Sequence, residues 1–147
     1  MVRKRKGLVL GVYSAKGGVG KTTTVSNLGA ALAQKLKGKV IIVETNMTAS
    51  NLGLHLGIVD PPVVVQDVVY GRVRTDDAIV KTDYGLHVLP GSVAFTEELG
   101  PIDLSALLEA LRKKFEVEVR QEEDVDTWLK RIKQEAEQKF EFGGKIL

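Results

Sequence analysis

Residues 7–23 read GLVLGVYSAKGGVGKTT, and this stretch decides the fold. Its first part, 7–13, is an apolar run rich in Val and Leu without polar alternation, which predicts a strand buried on both faces. A glycine-rich turn over 14–20 follows, and apolar residues then recur at helical spacing over 22–37, with Gly38 at the end. Residues 39–44 predict a second buried strand, so the segment is typical of a βαβ unit with parallel strands.

The elements that follow continue the same alternation of strands and helices. Residues 63–70 suit a strand or a helix by composition, and we favour a short helix that ends at Gly71. Residues 76–81 predict another short helix, 86–90 a third strand, and 101–115 an amphipathic helix. The predicted fold class is therefore α/β, a parallel sheet with helices on both faces.

The turn between the first strand and the first helix has the composition of a phosphate-binding loop. Gly17, Gly18 and Gly20 permit backbone conformations in which several N–H groups point into one concavity at a helix N-terminus. Lys21 follows where an ammonium group can reach phosphate oxygens, and Thr22 where a hydroxyl group can bind Mg²⁺. The alternative is a glycine-rich turn with a coincidental Lys-Thr pair.

The segment Lys16–Thr22 resembles the deviant Walker A motif of the MinD/ParA ATPases, because a second lysine, Lys16, precedes the glycines. The likeness extends over residues 7–115 and implies the P-loop fold, ATP or ADP with Mg²⁺ as ligands, and a possible homodimer. It also implies a catalytic role for Lys16, which would touch phosphate within its own chain or across the dimer. Without the resemblance, the sequence shows only that Lys16 is a cation beside an anion-binding loop. The implied nucleotide-binding residues are Lys16, Gly17, Gly18, Val19, Gly20, Lys21, Thr22 and Thr23.

Two positions after the second strand depart from the family pattern. The family has Asp-x-Asp where this chain has Glu44 and Asn46, so the resemblance implies Thr22 and Glu44 as metal ligands and Asn46 at a catalytic position. Asn46 lacks the charge of an aspartate, and phosphoryl transfer depends on positioning and electrostatics, so we expect slow or absent hydrolysis. A strand-end carboxylate facing solvent is the alternative interpretation of Glu44.

The chain also departs from the family after residue 115. Residues 116–120 alternate as Glu-Val-Glu-Val-Arg, which predicts a strand with one wet face instead of the buried, aspartate-ended Walker B strand of the family. Residues 121–140 predict a helix. We therefore predict a nucleotide-binding domain over 1–115 and a strand–helix extension over 116–147, in an incomplete version of the family fold.

Composition and charge restrict the class of partners. The chain has 147 residues and no cysteine, which excludes disulfides and thiolate metal sites. No apolar run approaches the roughly 20 residues of a membrane span, so we predict a cytoplasmic protein. Residues 121–141 hold seven acidic and four basic side chains, which disfavours a membrane-surface helix. The basic cluster Arg3–Lys6 is compatible with weak, nonspecific DNA binding or with a solvated tail.

Two functions are compatible with these features. The first is an ATP–Mg²⁺-dependent switch of the MinD/ParA type, used in partitioning or positioning with a protein partner that the sequence does not identify. The second is a non-enzymatic interaction or assembly module that keeps the loop for structure or binds a bare anion. Metal ligation by His55 or His87 is not expected, because neither has the neighbouring ligand residues of a metal motif.

Overall fold

The computed structural model describes residues 2–94, 102–120, 129–131 and 134. Residues 6–116 form one compact unit, and the described residues before and after them belong to a second. In chain order the elements are β1 (Val2–Arg5), α1 (Lys21–Lys35), β2 (Val40–Val43), α2 (Leu52–His55), α3 (Val65–Val69), α4 (Thr75–Ala78), β3 (Val80–Lys81), β4 (Leu86–Leu89), α5 (Ser105–Lys114) and β5 (Val117–Arg120).

The sheet of the larger unit has three strands in the order β2-β4-β3. β2 and β4 are parallel, with Val40 opposite Leu86 and Val43 opposite Leu89, whereas the short β3 is antiparallel to β4. The sheet is therefore mixed where a purely parallel one was predicted. The parallel pair comes from the two strands that the sequence marks as continuous apolar runs, as expected for strands buried on both faces.

Helices cover both faces of this sheet, which confirms the predicted α/β class. On one face Ile42, Leu86 and Val88 pack with Ala33 of α1 and Leu52 of α2. The other face is covered by α3, α4 and α5, where Leu89 belongs to a cluster completed by Met47, Val65, Ala78, Leu107, Leu111 and Phe115. Because neighbouring residues of a strand point to opposite faces, a four-residue apolar strand can supply both clusters.

The predicted first strand, residues 7–13, is not a strand in the structure. Leu8 is 84%, Leu10 68% and Tyr13 88% exposed, although each was predicted to be buried. A strand needs the backbone of a neighbour, and no backbone hydrogen bond joins 8–13 to any residue that the structure describes. The expected βαβ unit through α1 is therefore wrong, and the parallel crossover joins β2 to β4 instead.

The second unit contains the antiparallel pair β1–β5, in which Val2 lies opposite Arg120 and Arg5 opposite Val117. This confirms a strand in the alternating segment after residue 115. Most of the predicted helix 121–140 lies outside the described residues. The part of this segment that the structure describes, 129–131 and 134, is helical. The predicted division at residue 115 stays a prediction. In the described ranges we find no helix that combines the length and apolar character needed to cross a bilayer.

The side chain of His87, a residue of β4, is a titratable group that lies against the end of α5. The His87 ring makes an edge-on contact with Phe115, with ring centroids 5.4 Å apart, and its buried Nδ1 has no hydrogen-bond partner among the described residues. Burial lowers the pKa of His87, and the positive charges of Lys81 and Lys114 lower it further. The folded chain therefore favours the neutral imidazole.

This lowered pKa predicts that stability falls on the acid side. Below about pH 6.5 the unfolded chain takes up a proton at His87 that the folded chain resists, so acidification favours unfolding. We expect His87→Leu to flatten the decline of the melting temperature as the pH falls through this range. The exposed His55 provides the matched control, His55→Leu, which should keep the parent slope. Identical slopes for the parent and His87→Leu would contradict the assignment.

Candidate nucleotide-binding site

The glycine-rich loop leads directly into α1. Gly18 has φ +71° and Gly20 φ +93°, a left-handed backbone that residues with a Cβ rarely adopt. Gly20 is the N-cap of α1, so the loop ends where the helix presents its free N–H groups. The predicted junction between an anion-binding loop and a helix N-terminus is thus present, although the strand expected before it is not.

The two lysines of the loop occupy different environments. Lys21 Nζ donates a hydrogen bond of 3.0 Å to the carbonyl oxygen of Lys16, so its ammonium group spans the loop. The backbone N–H of Lys16 donates to Ser14 Oγ at 3.2 Å, and its side chain is exposed. The ammonium group of Lys21 is therefore held at the loop by a carbonyl, which an anion can replace.

A pocket of about 460 Å³ lies between the loop and the carboxyl end of β2. This is the edge at which open α/β sheets bind ligands. Eight of the predicted site residues line it, whereas Lys16 and Val19 do not. The lining residues are Val12, Gly17, Gly18, Gly20, Lys21, Thr22, Thr23, Val25, Val43, Glu44, Thr45, Asn46, Asn51, Leu52 and His55.

A hydrogen bond joins two side chains that line this pocket. Thr22 Oγ1 on α1 donates to Asn51 Oδ1, which precedes α2, at 3.0 Å. The two residues are 29 positions apart in the sequence, so the sheet and its loops bring them together. The hydroxyl predicted to bind a metal thus lies next to a second side-chain oxygen.

Glu44 is buried and organises the loop that follows β2. Its side chain is 7% exposed in the folded chain. Oε1 accepts a hydrogen bond from the N–H of Asn46 at 2.8 Å, and Oε2 accepts from the N–H of Asn51 at 3.2 Å and of Leu52 at 3.1 Å. Both oxygens are thus engaged by backbone donors, and the interpretation of Glu44 as a solvent-facing carboxylate is wrong.

Asn46 lines the pocket, but its side-chain oxygen serves a turn. Oδ1 accepts hydrogen bonds from the N–H and the hydroxyl of Thr48, both at 3.3 Å, and from the N–H of Ala49 at 3.2 Å. Asparagine commonly stabilises a turn in this way. The described residues hold no cluster of three His, Asp, Glu or Cys. A metal ion here would therefore also need oxygens from another molecule bound in the pocket.

Comparison with known proteins identifies the family. A family model described as an AAA domain matches residues 7–142. The septum site-determining protein MinD of Thermotoga maritima is 40% identical over 114 residues, which are 75% of this chain and 42% of that protein.

The chain belongs to the MinD/ParA family. Two solved MinD structures have similar folds. The cell division ATPase MinD of Pyrococcus furiosus is 43% identical with a TM-score of 0.52, covering 56% of this chain and 35% of that one. MinD of Pyrococcus horikoshii, complexed with Mg-ADP, is 40% identical with a TM-score of 0.51, covering 56% and 34%. The matched part of this chain spans 42% of the length of the MinD proteins of Thermotoga maritima and Synechocystis, and 26% of the putative MinD of Tupiella akineta.

Sequence reasoning missed two residues at the site of this MinD/ParA member, Asn51, which lines the pocket, and Gln66, which bonds to the segment before it. Gln66 of α3 is fully buried, and its Nε2 donates to the carbonyl of Met47 at 3.0 Å and to Ser50 Oγ at 3.4 Å. Its Oε1 accepts from the N–H of Ser92 at 3.1 Å, so it joins the loops that follow β2 and β4. A lone glutamine in the apolar run 63–70 was the available signal, as was a polar Asn51 after a predicted strand.

Proposed function

We propose that this chain binds ATP or ADP with Mg²⁺ in the pocket and acts as a nucleotide-dependent switch in partitioning or positioning. One observation carries the proposal, namely the pocket in which the glycine-rich loop and Lys21 face the oxygen-bearing segment after β2. Amide groups and an ammonium on one side suit phosphates, and side-chain oxygens on the other suit a magnesium ion. Family membership and the Mg-ADP complex of the Pyrococcus horikoshii relative support this ligand.

Each part of the loop has a distinct task in this proposal. The backbone N–H groups of Gly17, Gly18, Gly20 and Thr23 hold phosphate oxygens, and Lys21 exchanges its carbonyl partner, Lys16 O, for phosphate. The hydroxyl of Thr22 binds Mg²⁺, which in turn neutralises phosphate charge. The contacts of Glu44 favour an indirect contribution, in which the carboxylate holds the backbone beside the metal.

We propose slow hydrolysis for two reasons. Asn46 is neutral, and its side-chain oxygen already accepts hydrogen bonds in the turn over 48–49.

A homodimer is a further part of the proposal. Lys16 is exposed, so it can reach the nucleotide of a second subunit, as the resemblance implies, and a protein partner would then distinguish the dimer from the monomer. Both the homodimer and the partner belong to the proposal.

Titration with a fluorescent ATP analogue, with and without Mg²⁺, tests this function. We expect Lys21→Ala to weaken binding about 10–100-fold, because it removes a charge-assisted hydrogen bond worth about 1.5–3 kcal/mol. Lys35→Ala, at the far end of α1, is the matched control and should bind as the parent does. A parent chain that binds no nucleotide would favour the non-enzymatic module, and a turnover rate typical of the family would contradict slow hydrolysis.

A further inference from the structure

Two side-chain oxygens of the pocket have the spacing of metal ligands. Thr22 Oγ1 and Asn51 Oδ1 are 3.0 Å apart, and both residues line the pocket. Mg²⁺ binds oxygen ligands at 2.0–2.1 Å in an octahedron, in which neighbouring ligand atoms are about 2.9 Å apart. The two oxygens could therefore bind one ion without a large movement of either side chain. The hydroxyl proton, now donated to Asn51, would only have to rotate away.

We propose that Asn51 Oδ1 is the second side-chain ligand of Mg²⁺ at this site, next to Thr22. The inference rests on the proposed function, since it assigns a residue to the metal that accompanies the nucleotide. Asn51 would then supply an oxygen at the metal in a chain whose Asn46 lacks the charge of an acid.

The alternatives within the same loop are already engaged. Asn46 Oδ1 accepts three hydrogen bonds from Thr48 and Ala49, and the two Glu44 oxygens accept three backbone hydrogen bonds. By contrast, Asn51 Oδ1 accepts a hydrogen bond from the Thr22 hydroxyl, itself a proposed metal ligand. Of Glu44, Asn46 and Asn51, Asn51 is thus the residue whose side-chain oxygen can turn to a metal ion without breaking the loop.

Glu44 also fixes the position of Asn51. The backbone N–H of Asn51 and that of Leu52 donate to the same buried oxygen, Glu44 Oε2. Because the buried carboxylate of Glu44 already holds the backbone of Asn51, only the side-chain torsions of Asn51 lose freedom when its oxygen binds a metal. Two neutral protein oxygens attract Mg²⁺ weakly, so the phosphates must supply the charge, and the ion should bind together with the nucleotide.

The test measures how much Mg²⁺ strengthens binding of the fluorescent ATP analogue, as the ratio of dissociation constants in EDTA and in Mg²⁺. We expect Asn51→Leu to lower this ratio at least about tenfold. Asn51→Asp should keep or raise it, since a carboxylate is a stronger ligand for Mg²⁺. Asn27→Leu is the control, because Asn27 is an exposed asparagine of α1 that donates to Thr23 O and does not line the pocket.

Each other outcome overturns the inference in a recognisable way. Parent affinity of Asn51→Leu in both conditions, or an Asn51→Asp ratio as low as that of Asn51→Leu, removes Asn51 from the metal site and leaves the proposed function standing. Equal losses in EDTA and in Mg²⁺ for folded Asn51→Leu assign Asn51 to loop structure alone. A parent chain that binds the analogue in neither condition overturns the proposed function and this inference together.

Discussion

Glu44→Ala is expected to lower the free energy of unfolding by about 3–5 kcal/mol. Glu44 is 7% exposed, and its carboxylate accepts hydrogen bonds from three backbone N–H groups, those of Asn46, Asn51 and Leu52. Alanine leaves these donors without this partner, which costs about 1–3 kcal/mol for the buried N–H of Leu52 and less for each of the part-buried N–H groups of Asn46 and Asn51. Denaturant unfolding followed by circular dichroism measures the change.

A matched carboxylate separates this effect from the loss of a negative charge. Glu109 is half exposed and bonds to Lys6 at the surface, so Glu109→Ala should stay near the stability of the parent. Glu44→Gln should lie between Glu44→Ala and the parent, since its amide NH₂ must face a backbone donor where the second oxygen was. Equal stability of Glu44→Ala and Glu109→Ala would show that the loop does not depend on this carboxylate.

Gly91→Ala is expected to destabilise the chain by about 3 kcal/mol through a collision behind the pocket. A Cβ atom at residue 91 would lie 2.7 Å from Ser50 Cβ and 2.8 Å from Glu44 Cγ, and closer still to Ser50 Oγ. Ser50 is itself fixed, since its hydroxyl donates to the carbonyl of Asn46 at 2.6 Å. The added methyl group must therefore displace the segment that carries Glu44 and Asn51.

Thermal unfolding of two further variants tests this explanation. Gly11→Ala is the control, because a Cβ atom there meets nothing within 4 Å, and its stability should match the parent within about 0.5 kcal/mol. Ser50→Gly removes the nearest colliding atoms, so it should cost less in the Gly91→Ala background than in the parent. Additive effects of Ser50→Gly and Gly91→Ala would argue against a direct collision.

The predictions that succeeded depend on short-range rules. The helix predicted over 22–37 is confirmed as α1, which begins directly after Gly20 and ends at Lys35, two residues earlier than predicted. The apolar runs at 39–44 and 86–90 became parallel neighbours because continuous apolar strands need cover on both faces. Family membership followed from the same local signal, the spacing of glycines and lysines over 16–22.

The site was predicted less completely, because its contacts join distant residues. The pairing of Thr22 with Asn51 spans 29 positions, and Gln66 reaches both Met47 and Ser92. The periodicity of apolar residues along the sequence does not predict such long-range contacts. The roles of Glu44 and Asn46 likewise depend on which backbone donors the folded loop offers them.

By itself, the sequence determined the glycine-rich loop, the helix α1 to within two residues at either end and the two parallel strands with apolar residues on both faces, because backbone dihedral preferences and side-chain periodicity are local properties. Only the tertiary structure decided that residues 8–13, equally apolar, are exposed and have no backbone hydrogen-bond partner among the described residues, since a strand forms only where a neighbouring backbone completes its hydrogen bonds. It also decided which oxygens face the pocket, because burial of Glu44 orients the segment that carries Asn51.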